Sequence, residues 1–97
     1  MPFGYIIGQI KVTDSEAYKA YVAQVGATVE KFGGAYIVRG GACENTEGTP
    51  VGDRNVVIRF PSYQAARDWY HSPEYAEVGA LRRAASTGVM TIAEGME

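Results

Sequence analysis

The single histidine of the sequence, His71, is the side chain best suited to proton transfer near neutral pH. One imidazole can serve as a general acid or base, or ligate a haem iron, but it cannot build a multi-histidine metal site. The alternative is a surface residue at the end of a helix, where the helix dipole favours a cation. We predict His71 as the candidate catalytic residue, and we predict neither a metal site nor a cofactor.

Aromatic side chains form the second group of residues that could bind a ligand. Five of them fall on predicted helices at positions near the gap between helices and sheet: Tyr18, Tyr21, Trp69, Tyr70 and Tyr75. Aromatic walls with a few hydroxyl groups suit a planar phenol or quinol. The alternative is a core of large residues whose hydroxyl groups reach water. The ligand-binding residues that we predict from this group are Tyr18, Trp69 and Tyr70, with Tyr36 added from the second predicted strand.

Two basic residues, Lys11 and Arg39, are candidates for anion binding. Alternation along the strands places both on the face of the sheet that the helices leave open, and parallel strands bring them to the same end. Arg39 could then hold a carboxylate in bidentate fashion. The alternative is that both residues pair with acidic residues of a second protomer at the rim of an interface. Arg39 completes the predicted ligand-binding set.

Composition narrows the class of protein. The 97 residues suffice for one domain, predicted over 1–97, and the net charge of −2 is spread along the chain, which argues against nucleic-acid binding. No apolar stretch approaches the roughly 20 residues of a membrane span, so we predict a cytoplasmic protein without membrane contact. Cys43 is the only cysteine, which excludes an internal disulfide, and no base is evident near it.

Hydrophobic periodicity predicts the elements that position these residues. Predicted strands cover 3–12, 35–39, 55–60 and 89–93. The first helix is predicted to begin after Thr13 as N-cap and to end before Gly33. A second helix begins at Ser62 and should bend at Ser72-Pro73, because a proline after a serine cap restarts a helix. Residues 40–53 form a long polar loop, to which we assign no role.

The order βαββαβ predicts an α+β, ferredoxin-like fold, with an antiparallel sheet and both helices on one face. Alternation places Val38 and the inward residues of the other strands under the helices. The opposite face carries apolar side chains such as Ile7, Ile37 and Val89, too many for a surface in water. We therefore predict a homodimer in which two sheets pack face to face.

Several motifs along this order resemble one family. They are GGAYIVRGG at 33–41, Glu47-Gly48, the strand end Phe60-Pro61-Ser62, the segment from Trp69 to Tyr75 in WYHSPEY, and Leu81-Arg82. Together they resemble domain-of-unknown-function family 1330. The resemblance implies a dimeric α+β barrel, in which two ferredoxin-like protomers pack through their sheets. It supplies no catalytic residues.

Neighbours of that fold include cofactor-independent quinol monooxygenases, muconolactone isomerases and haem enzymes. Haem-degrading relatives use a tryptophan, a histidine and an asparagine, whereas Trp69 and His71 face different sides of a helix and the first strand has no asparagine. We therefore predict a small-molecule-binding protein, with cofactor-independent monooxygenation or isomerisation of a small aromatic or carboxylate substrate as its activity. The alternative is a non-catalytic dimeric binding or stress-associated module whose gap is filled by side chains.

Overall fold

A computed structural model describes residues 1–96 as one four-stranded antiparallel sheet with three helices. In chain order the elements are β1 (Gly4–Val12), α1 (Ser15–Lys31), β2 (Ala35–Arg39), β3 (Arg54–Phe60), α2 (Tyr63–Tyr70), α3 (Pro73–Ala85) and β4 (Ser86–Glu94). The strand order in the sheet is β2-β3-β1-β4. This order confirms the predicted α+β, ferredoxin-like βαββαβ fold.

The beginning and end of α1 show how local sequence sets its length. Asp14, not the predicted Thr13, is the N-cap, since its Oδ1 accepts a hydrogen bond of 3.1 Å from the Ala17 backbone N–H. The backbone N–H of Thr13 donates instead to the Ala85 carbonyl at 2.8 Å, which holds Thr13 close to the end of α3. At the other end, Gly33 has φ +80° and follows the last turn, as predicted for a glycine that ends a helix.

The predicted bend at Ser72-Pro73 is a complete break between α2 and α3. Ser62 Oγ caps α2 by accepting from Ala65 N–H at 3.0 Å, and Ser72 Oγ caps α3 by accepting from Tyr75 N–H at 3.1 Å. Pro73 occupies the first turn of α3, where its missing N–H costs nothing. β4 begins directly after α3, three residues earlier than predicted, and extends its pairing with β1 to Val12.

A β-bulge in β2 changes which side chains face the helices. Tyr36 pairs with Ile58 and Val38 pairs with Val57, so Ile37 is an extra residue on this strand. The extra residue reverses the alternation beyond it, because successive side chains point to opposite faces. The predicted faces of Val38 and Arg39 are therefore wrong.

The consequence is largest for Arg39, which now lies opposite the buried Val56 and on the helix side of the sheet. Lys11 stays on the open face, since its neighbour Ile10 is buried under the helices. Lys11 and Arg39 cannot share an anion site, which was one of the two interpretations of this pair, because they lie on opposite faces of the sheet.

The core lies between the sheet and the helices. Its largest fully buried side chains are Trp69, Tyr75, Phe60, Ile6, Ile10, Ile58, Val25 and Val29. The Trp69 ring packs 4.1 Å from the Tyr75 ring and 5.5 Å from the Phe60 ring, centroid to centroid. Its indole Nε1–H donates to Thr28 Oγ1 at 3.0 Å, so this large side chain is buried with its polar atom satisfied.

The helices are tied to one another more closely than α1 is tied to the sheet. α1 packs mainly against α3, and the two helices are joined at both ends. The backbone N–H groups of Thr13 and Asp14 both donate to the Ala85 carbonyl, while Lys31 pairs with Glu74. α1 meets the strands beneath it through its side chains, of which Val25 and Val29 are fully buried in the core.

The opposite face of the sheet is apolar and open. The exposed fractions are 45% for Ile7, 50% for Ile37, 42% for Val38 and 52% for Val89. The bulge adds Val38 to this surface. None of the helices in residues 1–96 has the length and apolar character needed to cross a membrane.

Candidate functional site

A cleft lies in the space between α1 and the sheet. The enclosed cavity measures only about 10 Å³, room for roughly one water molecule, and the hollow reaches about 340 Å³ when the open solvent at its mouth is included. α1 contributes Tyr18, Tyr21, Val22 and Val25, the strands contribute Ile10, Tyr36, Arg39, Arg54, Val56, Ile58 and Met90, and α3 contributes Arg82. Apolar walls with a few convergent polar groups are typical of small-molecule sites. We call this space the arginine–tyrosine cleft.

Arg39 enters the cleft because of the β-bulge. Its guanidinium Cζ lies 4.1 Å from the centroid of the Tyr36 ring, within stacking distance. Its Nη2 donates to the Val22 carbonyl of α1 at 3.3 Å. The side chain therefore bridges the edge strand β2 and the helix above it, and it remains exposed enough to meet a ligand at the mouth.

Arg54 is the second cation of the cleft. Its Cζ lies 5.4 Å from the centroid of the Tyr18 ring, and its Nε is buried without a hydrogen-bond partner among residues 1–96. Gly40 lies directly against the guanidinium, with φ +70°, and a Cβ at that position would collide with it. A buried donor without an acceptor is costly, so the Arg54 Nε–H is available to donate a hydrogen bond to an oxygen of a ligand.

Arg82 reaches the cleft from α3. It is 7% exposed, and its Nε donates to Tyr75 Oη at 3.1 Å. Tyr75 Oη lies a further 3.1 Å from Tyr21 Oη. Arg82, Tyr75 and Tyr21 thus form one buried chain of polar groups, of which the two outer members line the cleft.

The charges in the cleft all have one sign. None of its lining residues is an aspartate or a glutamate. Within residues 1–96 the ion pairs are Lys19 with Glu16 and Lys31 with Glu74, and neither involves a cleft arginine. Three guanidinium groups without a carboxylate partner make the cleft a favourable environment for an anion.

Tyr21 and Tyr36 of the cleft keep their protons at neutral pH. Burial raises the pKa of Tyr36 to about 12, although nearby Arg39 acts in the opposite direction. Burial, and then the proximity of Tyr75, raises the pKa of Tyr21 well above its usual range. These hydroxyl groups are therefore hydrogen-bond donors at neutral pH and are poorly suited to act as bases.

The cleft brings together three of the predicted site residues. Tyr18, Tyr36 and Arg39 line it, whereas Trp69 is fully buried behind it in the core. Tyr70 borders a separate depression beside Arg82.

His71 lies apart from the cleft. It is exposed at the C-cap of α2, with its ring 5.3 Å from that of Tyr70. The predicted catalytic role of His71 remains a prediction, since the structure assigns it no contact with the cleft.

Tyr21 was predicted near the gap but left out of the ligand-binding set, whereas Arg54 and Arg82 were not predicted as ligand-binding residues, although both carry a signal. Arg54 alternates with Val56 and Ile58 and therefore continues the inward face of β3 by one step. Arg82 is seven residues after Tyr75 and lies on the same inward stripe of α3. An arginine on an apolar stripe is predicted to be buried, and because burying a charge is costly, such a residue is a candidate for a functional role.

Comparison with known proteins decides the family. The profile described as "Domain of unknown function (DUF1330)" matches residues 3–96. The chain belongs to the DUF1330 family. This assignment confirms the resemblance inferred from the motifs. No curated protein matches the sequence of this DUF1330 chain significantly.

Solved structures share the fold of this DUF1330 protein. A protein of unknown function from Rhodopseudomonas palustris is 19% identical with a TM-score of 0.78, covering 99% of this chain and 84% of that one. SnoaB, a cofactor-independent oxygenase from Streptomyces nogalater, is 14% identical with a TM-score of 0.68, covering 100% and 96%. An antibiotic biosynthesis monooxygenase is 12% identical with a TM-score of 0.52, covering 97% and 99%. These likenesses confirm the predicted α+β, ferredoxin-like fold of the chain.

The raised pKa of Tyr36 predicts a loss of stability in alkali. The folded state keeps the Tyr36 proton up to about pH 12, whereas the unfolded chain releases it near the ordinary tyrosine value of about 10. This contribution to the free energy of unfolding is therefore complete below pH 10 and decreases as the pH rises from about 10 to about 12. Tyr36→Phe should flatten the decrease, measured as urea midpoint against pH. Tyr63→Phe on the surface of α2 is the control, and equal slopes for all three proteins would contradict the prediction.

Proposed function

We propose that this DUF1330 protein binds a small aromatic molecule carrying a negatively charged oxygen, and that it does so in the arginine–tyrosine cleft. The observation that carries the proposal is the unpaired positive charge of Arg39, Arg54 and Arg82 beside tyrosine rings. Aromatic walls favour a flat ligand, and guanidinium groups favour a carboxylate, phenolate or enolate. The same arrangement disfavours a cation and a purely aliphatic ligand.

The roles of the residues follow from their positions. The rings of Tyr18 and Tyr36 line the cleft, each with an arginine close to its face. Arg54 supplies a buried N–H that lacks an acceptor, and Arg39 supplies an exposed guanidinium at the mouth. A ligand carboxylate near both cations would satisfy Arg54 and neutralise part of their mutual repulsion.

The reaction class that we propose is cofactor-independent oxygenation or isomerisation of the deprotonated ligand. Cations beside an acidic oxygen favour its ionised form, and an electron-rich anion can react with dioxygen or shift a proton without a cofactor. The fold that this chain shares with SnoaB supports this class over others. Catechol and hydroquinone as probes should then cause dioxygen uptake or give a new product by NMR. Binding of these probes without any conversion would contradict catalysis and favour the non-catalytic binding module.

We also propose that the open sheet face is covered by a second copy of this chain. The open face exposes the apolar side chains of Ile7, Ile37, Val38 and Val89, whose contact with water is unfavourable. The same face of a second copy is also apolar, so packing the two sheets together would bury both surfaces. A homodimer of this kind would leave the arginine–tyrosine cleft free, since the cleft lies on the other side of the sheet.

The ligand proposal predicts a charge requirement for binding. The wild-type protein should bind 4-nitrobenzoate more tightly than the neutral isostere 4-nitrobenzamide, with NMR shifts at cleft residues. Arg54→Gln and Arg39→Gln should each weaken 4-nitrobenzoate binding by about 10-fold or more, since a hydrogen bond to a charged group contributes about 1.5–3 kcal/mol. Arg67→Gln on the exposed side of α2 is the matched control. Equal affinity for 4-nitrobenzoate and 4-nitrobenzamide would contradict the proposal.

The assembly proposal predicts that one charge on the open face separates the protomers. Wild-type protein should sediment as a dimer, and Val89→Glu should sediment as a monomer, because an unpaired carboxylate would be buried between two apolar sheets. Ala80→Glu adds the same charge on the exposed side of α3 and should leave the dimer intact. Sedimentation of the wild-type protein as a monomer at all concentrations would rule out this interface.

A further inference from the structure

The chain of polar groups behind the cleft has a direction that is fixed by chemistry. The Nε of Arg82 always carries its proton, so Arg82 donates and Tyr75 Oη accepts in their 3.1 Å contact. Tyr75 is only 1% exposed, and its hydroxyl group has one other partner among residues 1–96, the Tyr21 hydroxyl at 3.1 Å. The direction of this second hydrogen bond decides what Tyr21 can offer to the cleft.

Only one direction of the hydrogen bond between Tyr75 and Tyr21 gives the buried Tyr75 proton an acceptor. If Tyr21 donated to Tyr75, the Tyr75 proton would have no acceptor in a site that water does not reach, which is the costly arrangement. If Tyr75 donates to Tyr21, the Tyr75 proton has its acceptor, and the unpaired proton is instead that of Tyr21, which borders the cleft and can reach a water or a ligand there. Tyr21 lines the cleft, and no other residue within 1–96 accepts a hydrogen bond from its hydroxyl.

We propose that Tyr21 is a specificity-determining hydrogen-bond donor of the cleft, which selects a ligand oxygen that can only accept, such as a phenolate, enolate or carboxylate oxygen. Tyr75 is the positioning residue that fixes the direction of the Tyr21 proton, and Arg82 fixes Tyr75. This inference rests on the proposed binding of an aromatic anion, and it adds which protein group reads the charged oxygen of that ligand.

The surroundings of Tyr21 agree with a donor role. From α3 it faces Tyr75 and Arg82, and from its own helix it faces Tyr18, with ring centroids 5.4 Å apart. The sheet side adds Tyr36 and the guanidinium groups of Arg39 and Arg54, and no carboxylate lines this space. Burial raises the pKa of Tyr21, so it keeps its proton when an anion binds. A neutral donor beside three cations favours the ionised form of a bound phenol.

The first test uses 4-nitrophenol, whose phenolate is coloured. Wild-type protein should lower the apparent pKa of the bound probe relative to the free probe. Tyr21→Phe should raise that bound value by about one unit, equivalent to a roughly 10-fold loss of preference for the phenolate. Tyr75→Phe should give a smaller change in the same direction, because Tyr21 keeps its donor but loses its orientation. Tyr63→Phe, on the surface of α2, should match the wild-type protein.

A second test needs no ligand and uses the wild-type protein, so it does not depend on how the variants fold. NMR of the tyrosine hydroxyl protons should show the Tyr75 proton protected from exchange and close to the Tyr21 ring, while the Tyr21 proton exchanges with water. A protected Tyr21 proton directed at Tyr75 would overturn the inference.

The two proposals fail in different ways. If 4-nitrobenzoate binds but the pKa of bound 4-nitrophenol is the same in Tyr21→Phe and wild type, the role of Tyr21 is wrong and the binding function stands. If 4-nitrobenzoate binds and 4-nitrophenol does not, the phenolate-selective donor is equally overturned. If neither probe binds, the proposed function falls, and the inference about Tyr21 falls with it.

Discussion

The distance between α1 and the sheet is the constraint on which the candidate site depends. The helix packs mainly against α3 and meets the strands through large side chains, above all those of Tyr18 and Tyr21. Each combines a ring that prefers burial with a hydroxyl group that needs a partner. The rings of both residues line the cleft, and the Tyr21 hydroxyl group finds its protein partner in Tyr75.

The positive charge of the cleft lowers the stability of the folded chain, and the contacts within the chain offset only part of this loss. Three guanidinium groups share a partly buried space, where hydration is reduced and like charges repel. Stacking of Arg39 on Tyr36 and of Arg54 near Tyr18 offsets part of this cost. The unsatisfied Arg54 Nε shows that part of it remains. Functional sites commonly retain groups that lower the stability of the fold, and a bound anion would offset the destabilisation caused by these arginines.

Much of the fold could be predicted from local signals, because caps and periodicity act over a few residues. Ser62, Ser72 and Gly33 end or begin helices as their chemistry requires. The side of the sheet that Arg39 faces could not be predicted, since the bulge at Ile37 arises from pairing with β3 and has no glycine to mark it. Of the five aromatic residues predicted near the gap, only Tyr18 and Tyr21 line the cleft, and its cations depend on the bulge, on the extension of β3 to Arg54 and on the packing of α3 that buries Arg82. These are tertiary features, which strand alternation alone does not report.

The double connection between α1 and α3 has a mechanical consequence. The Ala85 carbonyl accepts hydrogen bonds from the residues just before α1, and Lys31 pairs with Glu74 at the opposite end. The two helices are therefore joined at both ends. Opening α1 like a lid would break either the two backbone hydrogen bonds at Ala85 or the exposed Lys31–Glu74 pair, of which the ion pair is the weaker. Rotation of the exposed Arg39 side chain at the rim of the cleft needs neither change, and exposed side chains rotate within picoseconds to nanoseconds.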